Sequence, residues 1–174
     1  MGSDRYLYAV EYESDAERKR VEYLFDNWVD GTVDRPEGLV RVAEGAAHDE
    51  LYKQLINKVP AERVSAYELE SADTSVEPMT VRVSQTIAAP VEAIESFIQY
   101  MFSKKKAGLQ SAKHNEYEVY TKKGRATVSY TLTEAEGNVT VEISIIGHDP
   151  APTFLRDFFE TELTNYAESQ SQQP

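Results

Sequence analysis

The sequence predicts an α+β protein in two parts, a β-α-β-α-β unit followed by an antiparallel meander sheet backed by two helices. Strand-like and helix-like patterns alternate over residues 1–70, and strictly alternating segments with short turns dominate the rest. Between them, residues 71–79 have no periodic apolar pattern and contain a proline. We therefore predict domains at 1–70 and 80–168, a linker at 71–79, and a disordered polar tail at 169–174.

Three strands are predicted for the first unit. Aromatic and β-branched residues favour them at 6–12, 39–44 and 63–70. A helix is predicted over 49–59, where apolar residues recur on one face, and Pro60 ends it because a proline cannot continue the hydrogen-bonding pattern. These elements give the order β-α-β-α-β once the helix after the first strand is included.

That first helix is predicted from its cap and its apolar stripe. Ser14 or Asp15 can serve as the N-cap, because either side chain accepts a hydrogen bond from a backbone N–H of the first turn. The stripe has the spacing i, i+3, i+4, i+7 and consists of Val21, Leu24, Phe25 and Trp28. Gly31 and the segment 34–38 then break the helix.

The second unit is predicted to have four or five strands and two helices. The strands lie at 80–87, 116–121, 125–133 and 139–146, and the helices at 91–102 and 153–168. Residues 108–113 supply a further strand in the alternative arrangement. Pro90 suits the first turn of a helix, where a missing N–H costs nothing.

The strand at 125–133 shows the alternation most clearly. One face carries Ala126, Val128, Tyr130 and Leu132, whereas threonines and one serine occupy the other face. A sheet with one apolar and one hydroxyl-rich face buries only the apolar face. The two helices of this unit are the predicted cover.

This layout resembles known folds. The order β-α-β-β-β-α, or β-α-β4-α with the extra strand, resembles the helix-grip and TATA-box-binding-protein-like folds. The opening "VSQTIAAPVEAIESFI" resembles the first strand and helix of the START-like lipid-binding superfamily. The chain as a whole resembles uncharacterised haloarchaeal proteins, and this resemblance implies no particular functional residues.

Composition excludes several classes of chemistry. The chain has no cysteine, so disulfides, thiolate catalysis, zinc–sulfur sites and cysteine-held iron–sulfur clusters are excluded. No glycine-rich phosphate loop, nucleophile elbow or His-Glu-x-x-His motif occurs. We therefore predict no cofactor and no metal site.

The net charge of −12 has two interpretations. An acid surplus keeps an ordinary protein soluble, and it also suits a high-salt cytosol that screens repulsion between carboxylates. The scarcity of lysine outside residues 104–123 favours the halophile interpretation. With no apolar run that would span a bilayer and no secretory signal pattern, the predicted location is cytoplasmic.

Seven basic residues gather in 22 positions of this acidic chain. They form the candidate binding site for a protein or anionic partner: Lys104, Lys105, Lys106, Lys113, Lys122, Lys123 and Arg125. The structural alternative is that the first three lysines complement a helix C-terminus and that the others solubilise a turn. Nucleic acid is a less favoured partner, because phosphate contacts weaken steeply with salt.

The three histidines are weaker candidates. His114 lies two residues before Glu116, and His148 is followed by Asp149, but neither pair has a recognised catalytic spacing. Asp149 is predicted to be the N-cap of the last helix, and His48 to mark the start of an earlier one. No catalytic residue is therefore predicted.

Three functions from different classes follow. The leading hypothesis is a non-catalytic binding or assembly protein, with homodimerisation as one form of assembly. The alternative is a binding protein for a small hydrophobic molecule held between the apolar sheet face and the last helix. An enzyme is the least favoured, because it would need His114 or His148 in a pocket with a carboxylate.

Overall fold

The structure, a computed structural model, describes residues 5–45 and 47–172. The chain divides into two compact units, one ending at Asp73 and the other beginning at Thr74. This boundary falls within the segment 71–79 that lacks apolar periodicity. Within the described residues, no helix is long and apolar enough to cross a membrane.

The first unit consists of two short helices joined by irregular segments. Helix α1 spans Asp15–Asp26 and helix α2 spans His48–Ile56, followed by one 3₁₀ turn at Ala61–Arg63. The predicted cap of α1 is confirmed at Ser14, whose hydroxyl accepts the backbone N–H of Glu17. Helix α2 ends before the predicted limit at residue 59.

The three strands predicted for this unit are wrong. Residues 5–45 and 47–73 contain no strand, so the segments 6–12, 39–44 and 63–70 are irregular where the structure describes them. A strand is stable only when a neighbouring strand exchanges backbone hydrogen bonds with it. Here the contacts involve side chains instead: the Tyr8 ring lies 6.3 Å from that of Phe25, and the Arg5 guanidinium donates to the Tyr67 hydroxyl at 3.2 Å.

The second unit contains a five-stranded antiparallel sheet and two helices, which confirms the α+β class. In chain order its elements are β1 (Met79–Ile87), α3 (Val91–Lys104), β2 (Gly108–Ser111), β3 (Glu116–Thr121), β4 (Gly124–Ala135), β5 (Asn138–Gly147) and α4 (Ala151–Ser171). The optional strand after α3 is therefore present as β2. The strands lie side by side in the order β1-β5-β4-β3-β2.

One face of this sheet is buried under α3 and α4. The register sets Val83 opposite Ile143, and Ile143 opposite Tyr130, so that apolar residues of three strands form one row. Ile98 of α3 and Phe159 of α4 are completely buried against this face. Each such side chain contributes about 1.5–3 kcal/mol, which fixes the register because a one-residue slip would expose the whole row.

The other face carries the predicted hydroxyl groups and remains exposed or half-buried. Thr86 and Thr140 are cross-strand partners whose hydroxyl oxygens lie 3.0 Å apart. The alternation predicted for residues 125–133 is therefore confirmed on both faces of β4.

Two details at α4 differ from the prediction. The residue at the N-cap position is Pro150, and Asp149 instead accepts a hydrogen bond from the Thr153 hydroxyl at 2.8 Å. The helix continues to Ser171, so residues 169–171 of the predicted disordered tail are helical. The last two residues of that tail lie outside the described range.

Candidate functional site

A surface hollow of about 300 Å³ brings together four of the seven predicted basic residues. It is lined by Lys104, Lys105, Lys106, Tyr120, Thr121, Lys122 and Phe154. These residues come from the end of α3, the end of β3 with the turn after it, and the first turn of α4. We refer to this feature as the lysine hollow.

The end of α3 fixes the backbone of three of these lysines. The N–H of Ala107 donates to the carbonyl of Phe102 at 3.0 Å, and that of Lys106 donates to Ser103 at 3.0 Å. These two bonds form a Schellman motif, in which the residue after the C-cap is left-handed. Lys106 occupies that position with φ +52°, where glycine is the usual residue.

The turn between β3 and β4 fixes Lys122. The Thr121 hydroxyl accepts the backbone N–H of Lys123 at 3.0 Å and donates to the carbonyl of Gly124 at 2.8 Å. Gly124 has φ +128°, and a Cβ on it would lie 3.4 Å from the Cβ of Ala151. The turn therefore lies directly beside the start of α4, and this proximity brings Lys122 to the hollow.

Two phenylalanine rings of α4 lie under the lysines. The Nζ of Lys105 is 4.2 Å from the ring centroid of Phe158 and 5.0 Å from that of Phe154. Lys122 approaches the Phe154 ring to 5.9 Å, and Lys104 approaches Phe158 to the same distance. Ammonium groups within about 6 Å of an aromatic ring are attracted to its face, so these rings hold lysines from separate elements together.

Among the described residues, one lysine of the hollow is neutralised by an ion pair. Lys104 donates to Glu162 at 3.2 Å, and this hydrogen bond raises the pKa of Lys104, with the Tyr100 hydroxyl adding to the effect. Within residues 5–45 and 47–172, Lys105, Lys106 and Lys122 form no ion pair with a carboxylate. The hollow therefore carries a local surplus of positive charge on an acidic protein.

The other three predicted residues lie elsewhere. Arg125 forms an ion pair with Glu118 at 3.3 Å and lines a separate hollow of about 260 Å³ with Thr127, Ile146 and His148. Lys123 is exposed on the β3–β4 turn and lines neither hollow. Lys113 is exposed before β3, and six residues of strand at about 3.3 Å each place it about 20 Å from Lys122.

In the described part of the chain, neither His114 with Glu116 nor His148 with Asp149 is joined by a hydrogen bond or an ion pair. His148 lines the second hollow together with Glu118, whose carboxylate is ion-paired with Arg125, and the carbonyl of His148 accepts the N–H of Ala151. His114 is exposed in the turn before β3. Among the described residues, no group of three or more histidines and carboxylates could hold a metal ion.

The sequence patterns did not reveal the aromatic part of the lysine hollow. Phe154 and Phe158 form this aromatic part, and neither is among the predicted site residues. Both are partly buried at the core margin and have the i, i+4 spacing that puts them on one helix face. In the sequence, this i, i+4 spacing at the start of a helix is the pattern that indicates an aromatic surface, and in the fold that helix begins beside the lysine-bearing turn.

The space between the sheet and α4 is filled by side chains. Phe159, Ile143 and Ile145 are completely buried there, and Phe158 packs against them at the margin. The two hollows described above both open at the surface. The geometry therefore offers no support for a hydrophobic molecule held at this place.

No model of a known protein family matches the chain, and no curated protein matches it either. The resemblance to helix-grip, TATA-box-binding-protein-like and START-like folds, and to haloarchaeal proteins, stays a prediction. What the lysine hollow binds must be inferred from its own residues.

Proposed function

We propose that this protein is a non-catalytic binding protein that recognises an anionic partner through the lysine hollow. The observation that carries the proposal is the convergence of Lys105, Lys106 and Lys122, none of them ion-paired among the described residues, from two separate elements. A chain with a surplus of acidic residues has many carboxylates that could neutralise such lysines. Leaving them unpaired at one place makes that place attractive to an external anion.

The site is preorganised for binding. The Schellman motif, the Thr121 hydrogen bonds and the two phenylalanine rings restrict where the lysines lie before any partner arrives. Side chains that are already restricted lose less conformational entropy on binding. Helix-end stabilisation alone would account for lysines at α3, but Lys122 belongs to a different element.

The chemistry favours a compact anion over nucleic acid bases. Among the residues that pair with base edges, the lining of the hollow contains only lysine, which donates to guanine, and it has no arginine, asparagine or glutamine. The acid surplus supports a halophilic archaeal host and a cytoplasmic setting as part of the same proposal. Homodimerisation is a further prediction that the hollow does not require.

The test compares two double variants of equal charge. The first, Lys105→Glu with Lys122→Glu, reverses the charge at two positions of the hollow. The second, Lys113→Glu with Lys123→Glu, reverses the charge at two exposed positions outside the hollow. Binding of the full chain to immobilised poly-L-glutamate is measured against salt concentration. We expect the first variant to bind at least about tenfold more weakly than the wild type and the second to bind nearly as well.

Thermal unfolding of both variants checks that the fold is intact. Equal losses in the two double variants would show that net charge alone decides binding and would refute the hollow as a site. Unchanged binding in both would refute it as well.

A further inference from the structure

The two lysines that share the Phe154 ring are the starting point for identifying the anion. Their Nζ atoms lie 5.0 and 5.9 Å from the same ring centroid, so together these distances leave them no more than about 11 Å apart. Lys106 lines the same hollow from the left-handed position after α3. Three positively charged lysines therefore line one hollow and repel one another.

An anion with more than one negative charge offsets this repulsion best. Lys104 already has Glu162, so the uncompensated groups are Lys105, Lys106 and Lys122. A carboxylate contributes one negative charge and two acceptor oxygens. A phosphate monoester carries a charge of about −1.5 to −2 at neutral pH and has three strong acceptor oxygens.

We propose that the lysine hollow binds a phosphate monoester group, with Lys105, Lys106 and Lys122 donating to its oxygens. This inference rests on the proposed function, because it specifies the anion for that same site. The Phe154 ring holds the ammonium groups of Lys105 and Lys122 within 5.9 Å of its centroid, where both are able to reach one bound anion. A volume of about 300 Å³ holds the phosphate and the first atoms of what it is attached to.

The identity of the anion is tested by comparing ligands of one shape and different charge. Phenyl phosphate, phenyl sulfate and benzoate share an aryl group, but only phenyl phosphate approaches two negative charges. Titration calorimetry with the full chain should show phenyl phosphate binding about tenfold more tightly than phenyl sulfate. Benzoate should bind more weakly than phenyl phosphate by at least the same factor.

Variants identify the residues that hold the anion. Lys122→Ala should weaken binding of phenyl phosphate by about tenfold, and Lys123→Ala, the next residue on the same turn, should leave it within about twofold. Phe154→Leu keeps every lysine but removes the ring that positions two of them, so it should weaken phosphate binding by several-fold. Thermal unfolding confirms that each variant is folded, and a Lys122→Ala variant that binds like the wild type would overturn the assignment.

The remaining comparisons distinguish the possible sources of the phosphate. They also distinguish a failure of the phosphate assignment from a failure of the proposed function. Inorganic phosphate, a phosphoserine peptide and vesicles containing phosphatidic acid all present a phosphate that approaches two negative charges, but only the last two are monoesters. Tighter binding of a monoester supports the proposal and identifies its source, whereas tightest binding of inorganic phosphate would overturn the monoester assignment. Equal binding of phenyl phosphate and phenyl sulfate would overturn this inference. If poly-L-glutamate still bound through the hollow, the proposed function would survive that result. If poly-L-glutamate did not bind through the hollow, the phosphate assignment and the proposed function would both fail.

Discussion

The two units of this chain contain similar apolar patterns but bury them differently. In α3, Ile94 and Ile98 are completely buried, whereas Leu24 and Trp28 on the comparable stripe of α1 are 53% and 55% exposed. Every buried apolar residue described lies between Val83 and Leu163. The described part of the first unit therefore has helices without a core, and the second unit has a core around which its helices are organised.

The difference shows that an amphipathic pattern specifies which face is to be buried but not what buries it. Helices of 12 and 9 residues are marginal in water without tertiary packing. In the second unit, the sheet provides the complementary surface, since α3 and α4 cover the same apolar face. Four experiments would break or sharpen this contrast.

The largest effect is expected from separating the units. A fragment of residues 74–174 should unfold cooperatively with heat or urea, because it contains the whole described core. A fragment of residues 1–73 should show no cooperative transition by circular dichroism. A sharp transition in that fragment would mean that the first unit buries a core of its own.

Truncating one leucine in each unit should reproduce the contrast on a smaller scale. Leu155 is completely buried, and Leu155→Ala should lower the free energy of unfolding by about 2–5 kcal/mol. Leu24→Ala removes a side chain that is about half exposed and should cost less than about 1 kcal/mol. Urea unfolding of the full chain measures both, and similar losses would contradict the contrast.

The positive-φ positions provide a third comparison. In the first unit, these positions are described only at glycines, including Gly38, whereas the second unit also has Lys106, Asn115 and Glu136 there. Lys106→Gly and Lys106→Ala remove the same charge but differ in the strain of the left-handed backbone. We expect the glycine variant to be more stable than the alanine variant by about 1 kcal/mol in urea.

Both variants should lose phosphate binding equally, since neither has the ammonium group. A glycine variant that is no more stable than the alanine variant would show that the left-handed conformation at Lys106 imposes no cost.

The smallest effect concerns Tyr130, whose pKa is raised from 10.0 chiefly because the ring is buried in the core. The folded protein keeps this phenol protonated at a pH where the unfolded chain has lost the proton. Stability is therefore full below pH 10 and falls as the pH rises towards the folded-state pKa.

Tyr130→Phe should make the urea midpoint fall less steeply between pH 9 and 11, with Tyr23→Phe on the exposed surface of α1 as the control. Parallel curves for the wild type and Tyr130→Phe would contradict the role of burial.

The second unit was the more predictable because its patterns are mutually consistent. The alternation around Val128 correctly predicted which face of the sheet is buried, and Pro90 marked the start of α3. The predicted meander makes the consecutive strands β3, β4 and β5 neighbours, as they are, but it does not predict that β1 pairs with β5. In the first unit, the tyrosines of 6–12 satisfied the strand pattern, but the described chain provides no partner for their backbone.

The candidate site was predictable in part for the same reason. The predicted group contains lysines next to a helix end and lysines on a hairpin turn, and four of its seven residues line one hollow. Phe154 was missed because an aromatic residue at helical spacing is most often a core residue. Arg125 and Lys113 were grouped with the rest by proximity in sequence, but strand direction separates them.

The strand order has a consequence for how the protein is made. Strand β1 pairs with β5, so Ile87 has no strand partner until Val139, about 50 residues later in the chain, has been synthesised. At a synthesis rate of about 5–20 residues per second, this delay lasts about 3–10 s. During this interval, β1 lacks its neighbouring strand, and its uncovered apolar face can associate with other chains. The ribosome and its chaperones, and not only the final packing, therefore bear on the yield of folded protein.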